Sequence, residues 1–234
     1  MGIIQKIGEK RFAPGKGVKS PSPQKGIRRF FFLFGTYFWR LLGINFLFVL
    51  CCLPLITIPA SICALNRYTI KMVRDGYGFS VADYWKEWKA QLVKSILVAP
   101  VSVLPLALGY YLLNMYASGF GGSGVLAAAI FWLAFGLVVG SYVFMLLAML
   151  DLPLQKIVKT AFLLIILDWK ESLGVLLLTM FTLVAAGSAF PLSVLILGGG
   201  WFAWLSLALG CIINGPVQKR IFTPYQEQLE TTPE

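Results

Sequence analysis

Charge occurs in four blocks of this 234-residue chain and nowhere else: every Lys, Arg, Asp and Glu falls within residues 6–40, 67–94, 151–171 or 219–234. The uncharged stretches between them, 41–66, 95–150 and 172–218, run for 26, 56 and 47 residues. Roughly 20 helical residues cross the hydrocarbon core of a bilayer, so several crossings fit into these stretches. A water-soluble core of this size cannot hide 58% apolar residues, and the 13% charged is about half the share of an ordinary soluble domain. The pattern predicts an all-α, polytopic transmembrane helical bundle of five to six membrane segments, with amphipathic helices on the cytoplasmic side. One membrane domain is expected over residues 30–222. A basic, disordered cytoplasmic tail, 1–29, precedes it and a short cytoplasmic tail, 223–234, follows.

Orientation follows from the same blocks. They hold 9, 6, 3 and 2 lysines and arginines. If each uncharged stretch crossed once, neighbouring basic blocks would lie on opposite sides, against the positive-inside bias. Stretches that cross and return put every block, and both termini, in the cytoplasm. The 56 residues of the middle stretch suffice for two crossings, and the glycine-rich, uncharged Ser118-Gly-Phe-Gly-Gly-Ser-Gly124 supplies an outer turn. The last stretch also has room for two, with its turn at either 187–191 or 198–200.

The first stretch is shorter. Its 26 residues reach about 39 Å if fully helical, too little for two passes. Pro54 and Pro59 interrupt it, since each removes a backbone donor. The reading is a first span over about 31–53 and a shorter returning helix over about 58–73, with Arg40 facing protein or snorkelling. A single pass, giving five spans, is the rival. A basic region precedes the first apolar run without a small-residue cleavage site after it, so that span is read as retained.

Two inner helices are expected. Ser80-Val-Ala-Asp83 is a capping-box-like start. After it, Val81, Tyr84, Trp85, Trp88 and Leu92 share one helical face, with Asp83, Lys86, Glu87 and Lys94 opposite. Such a helix suits the membrane interface. It serves either as an anchor or as a dock for a partner through Tyr84, Trp85 and Trp88. Asp151-Leu-Pro opens the second, which runs to Leu167, and Asp151 is a further candidate contact. Gly136 and Gly140 form a GxxxG pair suited to close helix packing, within the chain or between copies.

Catalytic chemistry has little to use. The two longer uncharged stretches contain no ionisable Asp, Glu, Lys, Arg or His, and His is absent throughout. No HExxH, GxSxG or P-loop occurs. Cys51, Cys52, Cys63 and Cys211 lie in apolar segments without metal-ligand spacing and read as packing residues. Asn45, Asn66, Arg67, Asn114 and Asn214 are the polar residues expected at membrane depth, Asn45 bonding across to the segment after Pro54.

Asn45-Phe-Leu-Phe-Val-Leu-Cys-Cys-Leu-Pro-Leu-Ile-Thr-Ile58, continued by Ala64-Leu65, Lys71-Met-Val-Arg74 and Phe79-Ser-Val-Ala-Asp-Tyr-Trp85, resembles the YesL-like family of bacterial membrane proteins. That is a domain family of unknown function. Asn45, Leu53, Pro54, Thr57, Ala64, Leu65 and Lys71 carry the likeness, which is close over about 31–88. A glycine commonly follows the Thr-Ile pair in that family, where this chain has Pro59, and the long basic amino-terminal extension is unlike typical members. The resemblance implies a multi-pass protein of the bacterial cell membrane, often encoded beside carbohydrate ABC importers of Gram-positive bacteria. The expected role is a non-catalytic auxiliary or assembly subunit packing against the importer's permeases, with its inner helices near the permease or ATPase surface. Membrane lipid and importer subunits are the expected partners, without nucleic acid, metal or cofactor. The alternative is a free-standing small-solute transporter or channel that uses the proline-broken first hairpin.

Overall fold

The computed structural model describes residues 26–76, 81–188 and 197–223, and every regular element among them is helical. In chain order these are α1 (Gly26–Cys51), a 3₁₀ turn (Leu55–Thr57), α2 (Ile58–Asp75), α3 (Val81–Val98), α4 (Pro100–Ala117), α5 (Ser123–Met149), α6 (Leu154–Leu167) and α7 (Trp169–Ser188). A π-helical turn (Leu197–Trp201), α8 (Phe202–Val217) and a second π turn (Gln218–Phe222) complete the order. Three helical stretches, Arg28–Cys51, Ser123–Met149 and Gly199–Phe222, are long and apolar enough to cross a membrane. The pair α3 and α4, bent by 50° where Pro100 opens α4, would make a fourth if it is one broken span.

The proline-broken hairpin forms where the sequence places it. α1 stops at Cys51 and α2 starts at Ile58, against the expected 53 and 58. Pro59 falls in the first turn of α2, where a missing N–H costs nothing, so a proline can stand at this position. Gly76 ends α2 in the left-handed conformation (φ 75°), returning its N–H to the Met72 carbonyl at 3.0 Å. The basic residues Arg28 and Arg29, read above as tail, already belong to α1. Residues 1–25 lie outside the described residues, as do Ser80 of the capping-box reading, 189–196 and 224–234.

α2 occupies the middle of the molecule. Eleven of its 18 residues are buried, and α1, α3, α5 and α8 all pack on it. The core continues into the second half of α5, where Val139, Tyr142, Val143, Met145, Leu146 and Ala148 are fully enclosed.

The glycine-rich segment at 118–122 turns the α4/α5 hairpin, as expected. Its helices meet through glycine. A Cβ on Gly109 would lie 2.8 Å from the Leu133 backbone nitrogen, one on Gly136 3.1 Å from that of Leu106, and one on Gly140 3.0 Å from the Ser102 Cβ. Gly136 and Gly140 therefore pack within the chain. α6 ends at Leu167, as read from the sequence, and buries Ile157, Ala161 and Leu164 on one face.

The face of α3 is rotated from the sequence reading. Tyr84, Gln91, Ser95 and Val98 are the residues it buries, and Trp88 is half-buried. Glu87, assigned to the charged outer face, turns inward, while Val81 is 60% and Trp85 38% exposed. The cause is electrostatic: Arg67 and Lys71 on α2 draw Glu87 into the contact. α3 thus packs first against a polar stretch of α2.

Candidate functional site

The site is the polar spine of α2, with a cleft between α1, α7 and α8 nearby. At the top, Thr57 Oγ1 lies 2.6 Å from the carbonyl oxygens of both Cys51 and Pro54, its one proton serving either. Ser61 Oγ approaches the Cys51 carbonyl at 3.2 Å and that of Thr57 at 3.0 Å. Carbonyls freed by the proline break are therefore satisfied by hydroxyls one turn away. Leu53 and Pro54 are exposed, and Ala64 and Leu65 are buried.

One turn further, Asn66 and Thr69 meet α8. Ser206 Oγ lies 2.7 Å from Asn66 Oδ1 and 2.7 Å from Thr69 Oγ1, all three residues being buried. Asn45, fully buried on α1, also reaches α8: its Oδ1 accepts the Ala203 N–H at 3.2 Å. This contact ties α1 to α8, a partner that the sequence reading did not name. α8 restarts after Gly200, whose φ of 117° breaks the helix, and the Ala203 N–H in its first turn finds its acceptor on α1. Asn45 caps it from another helix.

Three cations follow on α2. Arg67 donates from Nη1 to the Ala148 carbonyl at 2.6 Å, and its Nε is 3.4 Å from Glu87 Oε1. Lys71 Nζ is 3.8 Å from the same carboxylate oxygen. Arg74 Nε donates to Asn214 Oδ1 at 3.1 Å, with the guanidinium 4.7 Å from the centre of the Phe222 ring. From α1, Arg29, only 7% exposed, gives Nε and Nη2 to the Val73 carbonyl at 3.1 and 2.6 Å. Ammonium and guanidinium groups are costly in an apolar interior unless bonded in this way. Arg40 differs: it lies at the surface of α1, 5.6 Å from the Tyr37 ring.

Of the residues read as contacts for a partner, the Tyr84 hydroxyl points to the Ser61 carbonyl at 3.4 Å and Trp88 donates to Ser61 Oγ at 3.2 Å. Both are held by the chain itself. Trp85 is edge-on to Trp88 at 5.4 Å and remains accessible, as does Asp151 after α5. Asn114 is exposed near the end of α4, its Nδ2 donating to the Tyr110 carbonyl at 2.9 Å. Among the described residues no cluster of His, Cys, Asp or Glu could hold a metal ion, and the four cysteines are free.

Sequence reasoning missed Arg29, Thr69, Ser206 and the Asp168–Arg220 pair. Asp168 accepts from Arg220 Nε and Nη2 at 2.6 and 2.9 Å. Asp168 also lines a cleft of ≈ 600 Å³ between α1, α7 and the end of α8.

No curated protein and no solved structure is matched by the chain. Residues 41–113, from mid-α1 through the whole of α2 and α3 to near the end of α4, match a family model described as a protein of unknown function, DUF624.

Proposed function

We propose that this chain is a non-catalytic auxiliary subunit of a membrane assembly in the bacterial cell membrane. It packs laterally against the permease subunits of a carbohydrate ABC importer, and its inner helices lie within reach of the ATPase. Six segments, α1, α2, α4, α5, α7 and α8, enter the membrane, with α3 and α6 at the inner face and both termini cytoplasmic. The 20 residues of α7 extend about 30 Å, enough for a crossing.

The face of α4 carries this reading. Val103, Leu104, Leu108, Tyr110 and Tyr111 are all exposed there, and so is Asn114. An asparagine and tyrosine hydroxyls on a charge-free helix gain from a facing helix what lipid cannot give. The buried hydroxyls and Asn66 of α2, by contrast, bond within the chain. The importer as partner comes from the resemblance to the YesL-like family.

The transporter reading needs polar backbone at the break to meet a solute. The Cys51 carbonyl there is taken by Thr57 and Ser61, which favours the subunit reading. Crosslinking in native membranes, mild solubilisation and mass spectrometry of the purified complex test it. Permease subunits are expected among the products. Their absence, or solute uptake by proteoliposomes containing this chain alone, overturns the proposal.

A further inference from the structure

The starts of α1 and α7 and the end of α8 enclose the ≈ 600 Å³ cleft, and a second of ≈ 360 Å³ adjoins it, with Gly26, Cys211, Gly215 and Lys219 lining both. Such volumes are those of small-ligand sites. The walls of the larger are apolar, formed by Phe30, Phe31, Leu178, Ala208 and Ile212, while its charge comes from Asp168, Glu171 and Lys219. Asp168 spends both carboxylate oxygens on Arg220. Among the described residues neither Glu171 nor Lys219 has an ion-pair partner.

Two further features keep this space open and polar at one edge. No atom lies within 4 Å of the position a Cβ would take on Gly215, which lines both clefts. Pro216, inside α8, has no N–H to return to the carbonyl four residues back, that of Ile212, and both residues line the cleft.

We propose that this cleft binds an aminophospholipid, phosphatidylethanolamine. Its phosphate sits on Lys219, its ammonium on Glu171, and one acyl chain lies along Phe30, Phe31, Leu178, Ala208 and Ile212. The helices that form the cleft include two long and apolar enough to cross a membrane, and in the membrane reading lipid is the ligand within reach of its apolar walls. One cation, Lys219, and one anion, Glu171, each without an ion-pair partner within 4 Å among the described residues, line the same cleft and match a zwitterion whose ammonium can donate hydrogen bonds. A site for purely anionic lipid is expected to be basic throughout. The inference rests on membrane embedding and is independent of the importer partner.

The test uses the full chain purified in detergent, with ethanolamine, glycerol and choline phospholipids of identical acyl chains. Native mass spectrometry reads retained lipid and thermal melting reads stabilisation. The ethanolamine lipid is expected to be retained and to raise the melting temperature most. Glu171→Gln removes its advantage over the glycerol lipid by about tenfold in binding, the loss of one charge-assisted hydrogen bond. Gly215→Leu fills the cleft and abolishes retention while leaving the melt in lipid-free detergent unchanged. If that variant does not fold, Ala208→Phe blocks the same wall. Equal stabilisation by all three lipids overturns the proposal. An ethanolamine preference that survives both Glu171→Gln and the cleft-filling variant overturns it too.

Discussion

Arg67, in the middle of α2, donates to the backbone carbonyl of Ala148 across 2.6 Å, tying the central helix to the last turn of α5. The acceptor is one of the four carbonyls that a helix end leaves without an intrahelical partner. Arg67 thus caps α5 while Glu87 of α3 holds it from the other side, and three helices meet at one side chain.

Replacing Arg67 by Met removes both contacts and keeps the apolar stem. A loss of about 2 kcal/mol is expected, the range for a charge-assisted bond to a partly buried group. Glu87→Gln should cost less, because the bond to Ala148 remains. Thermal melting of the purified protein in detergent ranks the two, and the reverse order would show that the ion pair dominates.

Asn45→Ala leaves the Ala203 N–H, buried at the start of α8, without its acceptor. An unsatisfied buried donor costs about 1–3 kcal/mol. Asn45→Asp is expected to retain the acceptor geometry yet be worse, since a carboxylate is costly at this fully buried position. Limited proteolysis at 197–201, compared with wild type, reads the loosening directly.

Gly109→Ala should be the most damaging of the hairpin glycine substitutions. Its Cβ would meet backbone, the Leu133 nitrogen at 2.8 Å, which cannot rotate away as a side chain can. Overpacking of this kind costs about 1–3 kcal/mol. Gly35→Ala and Gly43→Ala, with nothing within 4 Å, should be silent or slightly stabilising. Melting temperatures of the three variants check the ranking.

Cysteine labelling reads the orientation. With Cys51, Cys52, Cys63 and Cys211 replaced, Phe120→Cys in the outer turn should react with a membrane-impermeant maleimide in intact cells. Lys89→Cys on α3 should react only after permeabilisation. The opposite pattern would invert the topology.

Much of the fold was legible because it is local. Pro54 and Pro59, the glycines of 118–124 and Asp151-Leu-Pro each punctuate the chain where they stand, and the helix boundaries follow them. The centre was not legible. α2 carries Arg67, Lys71, Arg74 and Asp75, which in a sequence read as the edge of a cytoplasmic loop. What allows it to be buried lies 81 residues away for Arg67 and Ala148 and 140 for Asn66 and Ser206, and the α1–α8 contact of Asn45 with Ala203 spans 158. Hydropathy sees each of these residues singly, and no periodicity connects them. The rotation of α3 has the same origin, since Glu87 is polar by composition and inward only because Arg67 and Lys71 face it.

The most direct measurement of the central claim is site-specific photocrosslinking in native membranes, with a photoreactive amino acid at Tyr110 on the open face of α4 and, for comparison, at the buried Tyr142 of α5. A partner that packs on α4 predicts a discrete crosslinked product from Tyr110, identified by mass spectrometry as a permease subunit, and none from Tyr142. Crosslinks from Tyr110 to lipid alone would contradict the account.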